Sequence, residues 1–370
     1  MTSLPLVLIT GAAGKTSRAA VLALTEHHSH LVRTRAMVRR DDDRAQALRD
    51  AGAEVVVGDM GDLRDLRRAM TGVQRAHFVA PINNNSLDYA MNFAVAAAGA
   101  GVEHVVALSQ WLSSESHPSL LTRRTFLVDQ LLSWLPDVDH TLINVGFFAD
   151  NLMSGLGTAA QMGMLTMPLG TGRTAFISNE DIGRVVAGVL SNPLPYAGLT
   201  LRPTGPELQT PEEIAAVFGE VLGREVTYVD SSETMASKAM RALGHSPFEL
   251  SQVMHYMRDY RRGSFESGGT TNVVQQVTGR PAEDLATITR RYAASDPMAA
   301  RSVGNLLRAM AQFLKILLTK PLDTERWQRE QRVPLIDGQD CADAPEWTRT
   351  HAVPEAFGVP TEPSLVALSS

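Results

Sequence analysis

The groups best suited to hold a phosphate are backbone N–H donors freed by a glycine turn, and such a turn stands near the start of the chain. Thr10-Gly11-Ala12-Ala13-Gly14-Lys15-Thr16-Ser17 places two glycines three residues apart, with a lysine and two hydroxyls behind them. Gly11 permits a tight turn, and Ala13 and Gly14 keep side chains out of a ligand's way. A helix starting behind the turn offers free N–H groups and a positive dipole end, which suit a diphosphate. A Walker A loop, G-x-x-x-x-G-K-[ST], would need a glycine where Ile9 stands, so that reading fails. The spacing fits a dinucleotide turn instead. Ser17 takes the third glycine's place, where only a small residue is required.

A second group able to do chemistry is Arg39-Arg40, after the segment Val32–Val38. At that place in a dinucleotide fold an acid takes the 2′-hydroxyl of NAD, and an arginine accommodates the 2′-phosphate of NADP. No acid precedes the arginines on that segment, so NADP is the expected cofactor. The alternative is that both arginines are solvated and balance Asp41 to Asp43. Asp59 can accept from an adenine amino group or cap the next helix.

The elements that must position these residues follow a regular alternation. Leu6–Ile9 reads as a strand buried on both faces. Further strands are expected at 32–38, 54–57, 75–80 and 105–109, with helices between them that end near Gly52, Gly72 and Gly99-Gly101. Five such repeats imply a doubly wound parallel α/β sheet. Thr141–Val145 is a sixth strand, followed by Gly146-Phe147-Phe148, which should face the ligand because ligands lie outside the carboxyl ends of such strands. Phe147 and Phe148 then either wall a flat apolar pocket or belong to the core. Ser178 opens a helix that Pro193 stops. Thr210-Pro211-Glu212-Glu213 is a helix start with an N-cap hydroxyl, proline and a third-position glutamate, and Glu225–Val229 is a strand candidate. From Ser232 to about Tyr292 the chain reads as mostly helical. An amphipathic helix through Leu306, Met310 and Leu317 precedes a tail rich in proline, aspartate and tryptophan. The expected division is 1–150 for the dinucleotide domain, 151–295 for a small, mainly helical substrate lobe with segments returning to the sheet, and 296–370 for a C-terminal extension. The tail either wraps its own domain through Trp327 and Trp347 or lies across a second copy in a homodimer.

Bulk properties narrow the class. The 370 residues suffice for a sizeable core. A net charge of −6 argues against nucleic acid as the main partner. One cysteine, Cys341, gives no intrachain disulfide framework and fits a reducing compartment. No apolar run reaches membrane-spanning length, and Met1 runs almost directly into the first strand, so a cytoplasmic protein without a membrane partner is expected. No metal site is expected. His27, His28 and His30 cluster, but away from the sheet's carboxyl edge and with few acids nearby. No G-x-S-x-G elbow surrounds Ser109 or Ser113-Ser114. His255 or Tyr256, in a stretch that interleaves aromatic and basic residues, can line a substrate pocket.

Taken together, Ile9–Gly14, Met37-Val38-Arg39, Gly58-Asp59, Gly146–Asn151, Asn179–Ile182 and Thr278–Pro281 are similar to landmarks of the NmrA-like, atypical short-chain dehydrogenases/reductases. The resemblance covers roughly residues 4 to 295. It implies a Rossmann-like fold and NADPH bound by Thr10, Gly11, Ala13, Gly14, Lys15 and Thr16, by Arg39 and Arg40, by Asp59 and Met60, by Ala80 and Pro81, and by Val145 and Phe147. The family includes NADPH-dependent reductases of quinones, triphenylmethane dyes and isoflavones, and also NADP-binding regulators. The leading expectation is therefore reduction of a flat apolar carbonyl, enone or quinone, with a small aromatic or polyketide-like substrate. The alternatives are an NADP(H)-sensing regulator and a cofactor-assisted non-redox rearrangement.

One departure bears on mechanism. Short-chain dehydrogenases carry a tyrosine and a lysine four residues apart that deliver a proton. Gln110 to Leu132 contains neither residue type. If Val128-Asp129 matches the Val-Glu pair of the resembling reductases, Thr125 replaces their lysine, beside Arg123 and Arg124. Arginine is a poor proton donor but can polarise a carbonyl. His117 and His140 are the candidate donors, and the catalytic residue stays open.

Overall fold

A computed structural model describes residues 4–353 and 357–359. Among the described residues nine strands form two parallel sheets: β1 (Leu6–Ile9), β2 (Arg33–Val38), β3 (Glu54–Val57), β4 (Arg75–Val79), β5 (His104–Gln110), β6 (Asp139–Val145), β7 (Met164–Met167), β8 (Thr200–Leu201) and β9 (Thr227–Asp230). The main sheet has the order β3-β2-β1-β4-β5-β6-β8, and β7 pairs with β9 in a two-stranded sheet. The order reverses between β1 and β4, which opens a crevice at the carboxyl edge just where the glycine turn leaves β1.

The first six strands fall where the apolar runs stand: central β1 is buried along its whole length, whereas the edge strand β3 has no fully buried residue. Neither β7 nor β8 is among the strands expected from the sequence. Both β7 and β8 are short, and β8 takes its place only because its backbone pairs with Leu142 and Ile143 of β6. The residues after 150 thus return to the main sheet through β8 and through the helix Asn179–Ser191.

That helix packs on the helix Lys15–His27 behind the glycine turn. The contact is set by Gly183, where a Cβ would lie 2.6 Å from the backbone carbon and the Cβ of Ala19. Only a residue without a side chain allows the two axes so near. Ile182, Val185, Val186 and Val189 are fully buried beside it, with Ala20, Val21 and Leu24 opposite. Ser178 caps this helix through Asp181 N, and Thr210 with Glu213 forms the complete capping box that the sequence signals.

A second core lies under the helical lobe, around Phe147, Phe176, Tyr260 and Phe265. Phe147 meets Phe176, Tyr260 and Phe265 edge-on at 5.8, 5.1 and 5.6 Å. It is 1% exposed, so its ring is core and not a pocket wall. Tyr256 packs on Phe265 at the rim of the same cluster.

The tail wraps its own chain. Trp111, after β5, is capped by the Arg202 guanidinium 3.4 Å above its ring and meets Trp347 and Phe357 edge-on. Trp347 is 6% exposed and stacks on His351. Trp327 is only half-buried. Asp259 is the polar centre of the seam, accepting from His117 Nε2, Ser264 Oγ and Ala342 N.

Replacing Gly183 by valine is expected to lower the unfolding free energy by roughly 1–3 kcal/mol, the usual cost of overpacking. Urea unfolding checks this. A midpoint equal to the wild type's would show that the two helices separate at no cost.

Candidate functional site

The crevice at the carboxyl edge gathers the expected residues from separate elements. Gly11 adopts φ +59°, a conformation that favours glycine, and turns the chain off β1. Gly14 N donates to Gly11 O at 2.8 Å, and a Cβ at Gly14 would sit 3.2 Å from that carbonyl, so a side chain would crowd the cradle. Gly14 is also the N-cap of helix Lys15–His27, and no side chain caps this helix. Its first N–H groups are therefore available to an anion, in line with the dipole. Thr10 is turned inward: its N and Oγ1 both donate to His77 O, at 3.2 and 2.8 Å. Ala12 N donates to Met37 O, which ties the turn to β2.

The side chains of Lys15 and Thr16 point toward the lobe. Lys15 Nζ pairs with Asp150 at 2.7 Å, and Asp150 also accepts from the Tyr292 hydroxyl. Thr16 Oγ1 donates to Asn179 Oδ1 at 2.6 Å. These ties fasten the turn to the helices Ala149–Met153 and Asn179–Ser191. No local pattern of residues points to Tyr292, which lies far along the chain and meets Asp150 only through folding.

At the end of β2, Arg39 and Arg40 are both exposed. The acids that follow do not neutralise them. Asp41 pairs with Arg49 at 2.8 Å, and Asp42 caps the helix Asp43–Asp50 while pairing with Arg44 at 2.6 Å. Those guanidiniums hold both carboxyls below the usual carboxylate range. Among the described residues neither Arg39 nor Arg40 has an ion-pair partner. Asp43 is exposed and also without an ion pair among the described residues, so of the three acids only Asp41 and Asp42 are drawn to the helix behind the arginines.

Asp59 is exposed and accepts from Gly61 N at 2.8 Å. The cap of the next helix, Leu63–Ala69, is Asp62, so the capping role proposed for Asp59 belongs three residues later. Met60 is half-buried, and Asn92 Nδ2 donates to its carbonyl and to that of Gly61, fixing this turn. Ala80 and Pro81 lie half-buried just beyond β4. Val79 of that strand contacts the turn, 3.5 Å from where a Cβ of Gly11 would be. Val145 ends β6 with its carbonyl accepting from Trp111 N. Phe148, half-buried, packs with Ala13 and Leu108 against the same core.

The residues considered for proton delivery fare differently. His117 is fully buried: Nδ1 accepts from Ser119 N and Nε2 donates to Asp259 at 2.8 Å. His140 pairs in register with Val105, toward the amino end of β6 and away from the crevice. Arg123 donates to the carbonyls of His117, Pro118 and Pro334, and so serves the tail rather than a substrate. Arg124 donates to Asn84 O. Thr125 Oγ1 accepts from Gln110 Nε2 and donates to Leu121 O.

What sequence reasoning missed is Asp129. Ser109 Oγ and Ser113 Oγ both donate to its Oδ2, at 2.6 and 2.7 Å. Burial pushes this carboxyl up to about 6, against the lowering effect of the two hydroxyls. Its Oδ1 is buried without a partner among the described residues, as are Ser17 Oγ and Asn144 Oδ1. Ser109 and Asn144 are register partners near the carboxyl ends of β5 and β6. The only signal in the sequence was the serine-rich stretch Ser109–Ser116 ahead of a helix with one acid, and spacing alone does not pair them.

Metal-ligating side chains meet elsewhere. His117, Asp259 and Cys341 bring ligand atoms within 4.8 Å of one another. Their protein hydrogen bonds use both histidine nitrogens and both carboxylate oxygens, and burial pushes the thiol well up. The group is a clasp for the tail. His27, His28 and His30 form no such cluster.

Similarity to known proteins follows the same outline. The chain is 27% identical over 290 residues to an NAD(P)H azoreductase from Xenophilus azovorans, covering 78% of this chain and 99% of that protein. Its fold is similar to that of an NADPH-dependent quinone oxidoreductase from Escherichia coli, solved with NADPH, with a TM-score of 0.68 and 22% identity over 77% of this chain and 99% of that one. It is also similar to NmrA, a negative transcriptional regulator solved with NADP, with a TM-score of 0.61 and 14% identity over 86% of this chain and all of the other. Residues 4–287 match the NmrA-like family, and the chain belongs to that family.

Proposed function

We propose that this protein is an NADPH-dependent reductase of a flat, apolar carbonyl, enone or quinone. The observation that carries the reading is the pair of exposed guanidiniums, Arg39 and Arg40, without an ion-pair partner among the described residues and standing beside an uncapped helix start at a sheet crevice. Backbone N–H groups around Gly11, Ala13, Gly14, Lys15 and Thr16 would hold the pyrophosphate, and the arginines the 2′-phosphate. Asp59 and Met60 would border the adenine, and Ala80, Pro81, Val145 and the Phe147 backbone the path to the nicotinamide. Thr10 acts behind this surface by fixing the turn, and the exposed Lys15 side chain ties the turn to Asp150 at its edge. NADPH, when bound, supplies a hydride. The azoreductase likeness, spanning nearly the whole of that relative, supports reduction of a conjugated aromatic substrate.

The chain's own residues then have to hold a substrate and deliver a proton. Ser113 is half-exposed, and its hydroxyl reaches Asp129 at 2.7 Å. In the relay the neutral Asp129 Oδ2–H donates to Ser113 Oγ, the reverse of the bond made to the ionised carboxylate. The Ser113 proton is then free to pass to a developing product oxygen and is replaced by the Asp129 proton, which leaves a carboxylate. Burial favours the neutral carboxyl that this relay needs. A cytoplasmic setting suits a buried, unpaired Cys341. Among the described residues no helix is long and apolar enough to cross a membrane.

The second reading is an NADP(H)-responsive regulator. It is favoured by the structural employment of His117, Arg123 and Thr125, which leaves the usual donor positions without a free group. Oxidation of NADPH by the purified protein across azo dyes, quinones and polyketide-like enones separates the two. Turnover supports the reductase. Tight NADPH binding with no turnover on any member of the panel supports the regulator.

Two variants test the assignments. Arg39→Ala combined with Arg40→Ala is expected to weaken NADPH binding by roughly ten- to a hundredfold, since a hydrogen bond to a charged group contributes about 1.5–3 kcal/mol. Binding of NADH should hardly change, and calorimetry with both nucleotides checks the selectivity. Asp129→Asn should lower kcat by about 10²-fold or more with little change in NADPH affinity. Wild-type turnover should decline as pH rises above about 6, where Asp129 loses its proton, and the variant should lack that limb. The sign for stability is opposite to that of a salt-bridged acid. A carboxyl raised in the folded state binds more protons folded than unfolded, so wild type loses stability relative to Asp129→Asn as pH climbs from about 4 to about 6. Thermal unfolding at both pH values measures that difference.

A further inference from the structure

The helix Val303–Leu318 lies beyond the residues that match the family and presents a face with no cover among the described residues. Val303 is 76% exposed, Leu307 60%, Met310 53%, Leu314 55% and Leu318 76%, and Leu306 and Leu317 widen the stripe. At the helical period these positions fall within one arc of about 120°, the width of an ordinary buried face. The helix is not loosely placed. Its opposite side is anchored by buried Asn305, whose Nδ2 donates to Pro297 O and Ala300 O at 2.8 Å, and by buried Ala309. Seven large apolar side chains are thus held outward by a fixed inner face.

Charge says what such a face can meet. From Asp296 to Asp323 the intervening chain carries Arg301, Arg308, Lys315 and Lys320 and no acid, in a protein of net charge −6. The neighbouring helix Glu233–Ala242 adds Lys238 and Arg241, which donate to the carbonyls of Leu317, Lys320 and Pro321. Lys315 Nζ donates to Ala242 O. Carbonyl partners fix these cations without neutralising them. A second copy of the chain would bring two basic rims together, and like charges oppose that pairing. An anionic bilayer surface satisfies both features: leucine, valine and methionine enter the headgroup–acyl boundary, and the cations meet lipid phosphates. A helix of 16 residues lies in that plane rather than across it.

We propose that Val303–Leu318 seats this protein on an anionic membrane surface. This goes beyond the reductase reading and does not depend on it. The test is flotation of the full chain with large unilamellar vesicles, either phosphatidylcholine alone or phosphatidylcholine mixed with phosphatidylglycerol. Partition should be at least about tenfold stronger on the anionic vesicles and should fall as salt is raised. Leu307→Glu with Leu314→Glu should abolish it while leaving circular dichroism and NADPH affinity unchanged, which shows that the fold survives. Arg301→Gln with Lys320→Gln should weaken binding to the anionic vesicles alone. No flotation, or equal flotation on both compositions, overturns the proposal. So does a dimer in light scattering that the two glutamates dissociate, since that outcome assigns the face to a second copy.

Discussion

The start of the helix Lys15–His27 is the constraint on which the rest of the molecule depends. Its N-terminal turn has no side-chain cap, so its peptide N–H groups and dipole end face the crevice. Such an end holds an anion only if it cannot move, and the structure fixes it from three sides. Thr10 and Ala12 bond to the carbonyls of His77 and Met37, Thr16 reaches Asn179, and Gly183 lets a second helix press directly on Ala19. The sheet, the returning lobe and the glycine turn are therefore one mechanical unit.

Electrostatics at the edge of that unit follows from local pairing. Two aspartates next to Arg39 and Arg40 look, in the sequence, like their counter-ions. Each is instead claimed by an arginine on the helix it precedes, Asp41 by Arg49 and Asp42 by Arg44, and Asp42 also caps that helix. The result is an exposed pair of positive charges beside a free helix start, on a protein that is acidic overall. A phosphate-bearing ligand gains from both features at once.

Near the carboxyl ends of β5 and β6 the polar side chains of Ser109 and Asn144 are buried. Asp129 sits under two serine hydroxyls with one oxygen unmatched among the described residues, and burial raises its carboxyl to about 6. The groups that a sequence reader would first enlist, His117 and Arg123, hold the C-terminal tail in place through Asp259 and Pro334. The tail contributes Trp347 to an aromatic stack around Trp111, so it belongs to the body of the protein.

The sequence by itself determined the alternation of strands and helices, the glycine turn, the arginines after β2, the capping box at Thr210 and the family. These are short-range properties: apolar runs, turn residues and caps act within a few positions of where they are written. Only tertiary structure decided that Phe147 is core, that Asp62 rather than Asp59 is the cap, that β8 joins the sheet, and that Asp129 lies under Ser109 and Ser113. It also decided that the helix Val303–Leu318 has an apolar face without cover among the described residues. Each of these depends on which distant segments meet, and on which polar groups lose water when they do. Burial and long-range pairing are properties of the packed chain, and no local pattern of residues records them.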